Sequence, residues 1–205
     1  MKTTVPGPTM SLSNRADIYA TIGVGIVVAI ITIVTTTLRI ISIAPNVDIP
    51  VLVPFAETTA DLPIGPGGSL VTVAVETATV TASHLAATTV VSLVLSEIVG
   101  ALTVLAVTTL ICLLCRNMLS GTMFSRTNSR LVTASSFTIV VGWGLGAILT
   151  TMGVNGTFGT LSDYSYDNII FTMDWMPFFF AMTLGALALA FRAGERMQRD
   201  TDGLV

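Results

Sequence analysis

Four long apolar stretches constrain this chain more than any other feature. About 20 apolar residues in a helix, at ~1.5 Å each, cross the hydrocarbon core of a bilayer. The stretches at 18–44, 86–114, 131–154 and 169–191 all reach that length within a chain of 205 residues. Only 10% of the side chains are charged, against 52% hydrophobic, whereas soluble domains carry roughly 25% charged residues. An ordinary water-exposed surface cannot be built from this composition. The expected fold is all-α: one membrane domain over 1–205, a four-transmembrane-helix bundle with a small extracytoplasmic antiparallel β element between the first two helices.

The first stretch follows Lys2 and Arg15, and Ser42-Ile43-Ala44 is a small-x-small site of the signal-peptidase kind. Its apolar run is about twice the ~7–15 residues of a signal h-region. Arg39 lies close to that site and Pro45 directly after it, so the segment is read as a retained helix.

Between 45 and 85 the pattern changes to period two. Val47, Ile49, Val51, Val53 and Phe55 alternate with other residues, as β-strands require. Pro50 and Pro54 share a parity, so their missing N–H donors fall on one edge. The segment 61–68 (DLPIGPGG) is a turn, and Val71, Val73 and Val75 alternate again in 69–76. Two strands alone are marginal in water, and an open edge cannot lie in lipid. The sheet is therefore expected outside the bilayer, resting on the bundle or on a partner. A polar loop at 115–130 is expected to lead into the third helix through an N-cap at Asn128 or Ser129. A second loop covers 155–168 and a tail 192–205; no internal repeat is visible.

Basic residues flanking spans stay on the cytoplasmic side. With four spans, Lys2, Arg15, Arg116, Arg126, Arg130, Arg192, Arg196 and Arg199 share one side, and of the nine basic residues only Arg39 lies elsewhere. Asp48, Glu57, Asp61, Glu76, Asp163 and Asp167 fall in the opposite loops. The net charge of −3 thus resolves into a basic inner and an acidic outer face, with both termini cytoplasmic.

Three charges remain within or near spans: Arg39, Glu97 and Asp174. Unpaired in lipid, each costs several kcal/mol. At ~1.5 Å per residue, Arg39 and Asp174 lie roughly 8 Å below the outer surface and Glu97 roughly 16 Å below it. The cluster reads either as a polar pocket for a small solute or proton, or as an interhelical ion pair with Arg39 snorkelling outward. Asp174 also reads as the N-cap of a helix starting at Trp175 with Pro177 in its first turn.

Cys112 and Cys115 form a C-x-x-C on one helix face, but no further cysteine or histidine completes a tetrahedral zinc site. Apolar packing is the simpler role. His84, the single histidine, suits a cap or an interface. Gly142, Gly144 and Gly146 in the third helix, and Ala181, Gly185 and Ala188 in the fourth, allow close helix approach, within the chain or between copies in a homo-oligomer. Trp175 and Phe178 to Phe180 suit an outer aromatic belt. Arg192, Arg196 and Arg199 share one face of the tail, with Glu195 and Arg199 at i,i+4 spacing. That face fits anionic headgroups or a docked cytoplasmic protein. No nucleophile, metal or nucleotide fingerprint occurs, so no enzyme activity, cofactor, metal or direct nucleic-acid contact is expected.

Gly121, Phe124, Ser125 and Asn128, spaced as G-x-x-F-S-x-x-N, resemble the start of the third helix in a group of bacterial four-span proteins, the domain of unknown function 2975 family. The ending from Phe191, Arg192, Gly194 and Glu195 to Leu204-Val205 is similar to the tails of that family. The resemblance covers mainly 86–205. It implies no assigned activity. Because members are often encoded beside small helix-turn-helix regulators, it also implies a regulatory component of a bacterial inner membrane with a cytoplasmic protein partner. The sequence-level expectation is a non-enzymatic multipass protein coupling the outer segment to such a partner. The alternative is a transporter or channel subunit using Arg39, Glu97 and Asp174.

Overall fold

A computed structural model describes residues 12–120, 125–165, 171 and 173–202. Four helices, α1 (Leu12–Ile43), α2 (Ala87–Leu119), α3 (Arg126–Leu161) and α4 (Met176–Asp202), enclose in sequence a hairpin of β1 (Ile49–Leu62) and β2 (Val71–Ala82). All four helices are long and apolar enough to cross a membrane.

Their composition explains why. Apart from Ile18 and Ile43, the large apolar residues of α1 are largely exposed, among them Val24, Ile30, Val34 and Leu38. Exposed apolar surface of this extent is unusual on a water-facing helix. In lipid a hydroxyl must find an internal acceptor. Thr21, Thr32 and Thr35 donate to the carbonyls of Asp17, Val28 and Ile31, at 2.8 to 2.9 Å. Thr109 and Thr183 make the same i−4 bond in α2 and α4. Threonine-rich apolar sequence is thereby compatible with helix.

Several boundaries differ from the sequence-based expectation. The α2–α3 connection is far shorter than 115–130, because α2 continues to Leu119 and α3 already begins at Arg126. The α3 cap is Ser125, not Asn128 or Ser129: its Oγ accepts from the Asn128 N–H and its carbonyl from the Ser129 N–H. Asn128 is instead fully buried and accepts from Asn117 Nδ2 at 2.8 Å. Helix α3 runs past 154 to Leu161, although Asn155, Gly156 and Gly159 suggest a loop. The glycines of this segment serve packing: a Cβ at Gly156 would collide with Thr89, and one at the neighbouring Gly153 would lie 2.6 Å from Leu93 Cδ2. Helix α4 starts at Met176 rather than near 169 and carries most of the expected tail in helical form.

The chain divides into two compact units, to both of which α1, α2 and α3 contribute. The first comprises 1–35, 101–143 and 175–205. In it Ser136 Oγ donates to the Ala181 carbonyl at 2.7 Å, and Ala181 and Ala188 are buried, so the small-residue face of α4 packs on α3. Gly142 packs on Thr103 of α2, while Gly144 and Gly146 face open space. Trp143 stacks on Trp175 and Phe178, leaving Phe179 and Phe180 exposed.

The second unit comprises 36–100 and 144–174 and holds the hairpin. The antiparallel register pairs Ile49 with Ala82 and Pro54 with Thr77, then Thr58 with Val75. Between Pro54 and Thr58 β1 takes four steps where β2 takes two, a bulge that inserts extra residues and bends the strand. Ile49, Val51 and Val53 are buried on one face, joined by Ile43, Ala82, Leu85, Leu93, Val154 and Phe158 in a single core. The Phe55 ring meets Phe158 edge-on at 5.5 Å. A two-stranded sheet is thus supported by helices, as its marginal intrinsic stability demands. Val47, expected in the strand, precedes it and is 51% exposed. The strand also continues through 61–62, so the turn shifts to 63–70, closed by Gly65 N–H on the Ser69 carbonyl at 2.9 Å.

Candidate functional site

The charges expected to form an intramembrane cluster do not all meet. Arg39, in the last turns of α1, places Nε 3.3 Å from Glu97 Oε1 on α2. The side chains retain 29% and 34% of their exposure. Asp174 is exposed and lies just outside α4. The first helical bond of α4, Phe179 N–H at 3.2 Å, ends on the carbonyl of the next residue, Trp175.

Arg39 makes a second contact that the sequence pattern did not reveal. Its Nη2 donates to the Pro50 carbonyl at 2.7 Å. In an antiparallel pair, alternate residues turn both backbone groups away from the partner strand. Proline favours such positions because it has no N–H to lose. The outward Pro50 carbonyl therefore needs an acceptor's partner, and Arg39 supplies it. One guanidinium joins α1, β1 and α2.

A second fastening lies at the base of the hairpin. Asn46 Nδ2 donates to the Leu85 carbonyl at 2.9 Å, and Leu85 N–H returns to Asn46 Oδ1 at 2.9 Å. The His84 N–H adds a bond to the Asn46 carbonyl at 3.0 Å. Ser83 Oγ accepts from the Asp48 N–H at 2.8 Å and donates to Asp48 Oδ1 at 3.2 Å. Asn46, Asp48 and His84 have φ of 54°, 50° and 57°, a region that Asn, Asp and His tolerate better than most residues. His84 thus acts here through its backbone. The α1–β1 and β2–α2 joints are locked to each other by polar bonds that replace a third strand.

At and beyond the bulge, Phe55, Thr58, Ala60, Leu62, Val73 and Val75, together with Glu76, line an open, largely apolar trough of 710 Å³. At the hairpin tip Ile64 and Leu70 are exposed by 66% and 68%.

The basic residues separate into two sets. Arg116 lies in the last turn of α2, where a cation is favoured by the helix dipole. Arg126 and Arg130 of α3 converge with Arg192 and Arg196 of α4 around shared cavities. Glu195 pairs with Arg126, Nε to Oε1 at 3.1 Å, across two helices. The expected local partner, Arg199, has a side chain outside the described residues, as have Lys2, Asp167, Gly121 and Phe124 entirely. Arg192 donates to Ser129 Oγ and Thr133 Oγ1, each at 3.3 Å.

Cys112 and Cys115 are free thiols. Cys112 lies where α1 passes closely: a Cβ on Gly25 would come 2.9 Å from its Sγ. Among the described residues no group of three or more His, Cys, Asp or Glu is placed to hold a metal ion. No protein family, curated protein or solved structure matches the chain.

Proposed function

We propose that this chain is a non-enzymatic multipass protein of a bacterial inner membrane, in which the hairpin is an extracytoplasmic docking or sensing element. Its helices pass the state of that element to a cytoplasmic protein partner, in a regulatory or assembly role. The carrying observation is the double contact of Arg39, with Glu97 on α2 and the Pro50 carbonyl on β1. A hairpin held this way cannot shift without disturbing a charge pair within two apolar helices. The segregation of basic and acidic residues supports both termini being cytoplasmic. The resemblance to the four-span family supports the regulatory role. The apolar trough and exposed tip give the hairpin a surface for contact.

Photo-crosslinking residues at Ile64 and at Arg116 in intact membranes test this reading. Discrete protein adducts from each site are expected; none from either contradicts it. A reporter at Gly67 active only in the cytoplasm overturns the topology.

A second reading, a small-solute or ion transporter or channel subunit, draws on the partial exposure of the Arg39–Glu97 pair. It requires flux in proteoliposomes that vanishes in Glu97→Gln. Under the coupling reading no such flux exists.

A further inference from the structure

The first compact unit contains an open groove that the coupling reading does not use. Arg126, Ser129, Arg130, Arg192 and Glu195 line a space of 240 Å³, and Arg126, Arg192, Glu195 and Arg196 line an adjoining one of 190 Å³. Four guanidinium groups face one carboxylate, which leaves three positive charges without a counter-charge in the lining. We infer that this is a binding site for a phosphate group, filled by the phosphodiester of an anionic phospholipid.

Three features of the site select phosphate. Arg192 is oriented by two neutral hydroxyls, Ser129 and Thr133, so its position is fixed while its charge stays available. Arg39, held by the Glu97 carboxylate, shows the contrasting arrangement. Second, planar guanidinium forks match the paired oxygens of a phosphate and bind them bidentately, which a lysine cluster would not. Third, Arg126 and Arg130 stand in the first turns of a 36-residue helix, whose N-terminal dipole end adds to the positive field.

The source of the phosphate follows from the position. The apolar run of α3 begins at Leu131, directly after Arg130, and that of α4 ends at Phe191, directly before Arg192. In the membrane reading, these four arginines stand at headgroup level, where basic pockets between spanning helices hold anionic lipids. Glu195, only 18% exposed and paired with Arg126, fixes one wall and leaves Arg130, Arg192 and Arg196 to the ligand.

The test uses the full chain purified in a neutral detergent and titrated with phosphatidylglycerol or phosphatidylcholine, with bound lipid read by native mass spectrometry. The wild type is expected to retain phosphatidylglycerol selectively. Arg192→Gln combined with Arg196→Gln should weaken that retention about thirtyfold, on the order of tenfold or less per basic residue. Arg15→Gln, an exposed basic residue outside the groove, should leave it unchanged. Ser129→Ala with Thr133→Val keeps every charge, removes the hydroxyls that orient Arg192, and should weaken retention several-fold. That variant separates a built site from bulk attraction and from loss of fold. Displacement of the lipid by millimolar inorganic phosphate would uphold a phosphate site while assigning it to a soluble ligand. Equal losses in Arg15→Gln and the double variant, or retention unchanged in the double variant, would overturn the inference.

Discussion

Replacing Asn46 tests the energetic weight of the joint at the base of the hairpin. Its amide makes two bonds of 2.9 Å to the backbone of Leu85, a residue only 3% exposed. Each is worth about 1 kcal/mol net, and more where the abandoned backbone group stays buried. Asn46 also has φ of 54°, which costs an alanine about 1 kcal/mol or more. Asn46→Ala should therefore destabilise the chain by about 3–4 kcal/mol. Asn46→Gly, which loses the same bonds but accepts the backbone conformation, should cost about 1 kcal/mol less. Equilibrium unfolding in mixed micelles with a tryptophan fluorescence readout measures both. If Asn46→Ala stays within about 0.5 kcal/mol of the wild type, or if the glycine variant is the worse of the two, the reasoning fails.

Two further predictions concern packing within the helices. Gly142→Ala places a methyl against the Thr103 side chain, whereas Gly144→Ala meets open space. By the same unfolding assay the first should cost about 1–3 kcal/mol and the second should be neutral or stabilising by up to about 1 kcal/mol; equal effects would contradict the close approach. Asn155 Oδ1 is buried without a hydrogen-bond partner. Asn155→Leu should accordingly cost nothing and gain up to about 1 kcal/mol, and a clear destabilisation would show that the oxygen is used.

The helices were legible because long apolar stretches with few charges leave the backbone to satisfy itself, so length with hydropathy suffices to find them. The strand face of Ile49, Val51 and Val53 was legible through parity, since one side of that segment is apolar and β-branched. Its continuation was not. Thr58 to Leu62 carries threonine on both faces, Thr77 to Ala82 sets threonine against the small Ala78 and Ala82, and across the bulge after Pro54 the inward positions of β1 change from odd to even numbers. Local rules also name no distant partner. The Glu195 carboxylate reaches Arg126 on another helix, which no i,i+4 spacing announces. Gly156 suggests a loop until Thr89 is seen packed against it. At the candidate site, the Arg39–Glu97 pair could be anticipated from the cost of unpaired charge in lipid. The Pro50 carbonyl and the Asn46 joint could not, because backbone acceptors leave no mark in hydropathy or charge. The one cue was an asparagine in the polar turn beside Pro45.

Hydrogen–deuterium exchange on the full chain in lipid nanodiscs tests the coupling of hairpin and helices through Arg39 most directly. Charged hydrogen bonds contribute about 1.5–3 kcal/mol, and partial exposure of both side chains places this pair near the lower end. Arg39→Met should then raise exchange roughly tenfold at β1 around Ile49 to Val53 and, together with it, in α2 around Glu97. Glu97→Gln should loosen both elements to a smaller degree, since the bond from Arg39 to Pro50 survives. Exchange that rises in one element while the other keeps its wild-type protection would contradict the coupling.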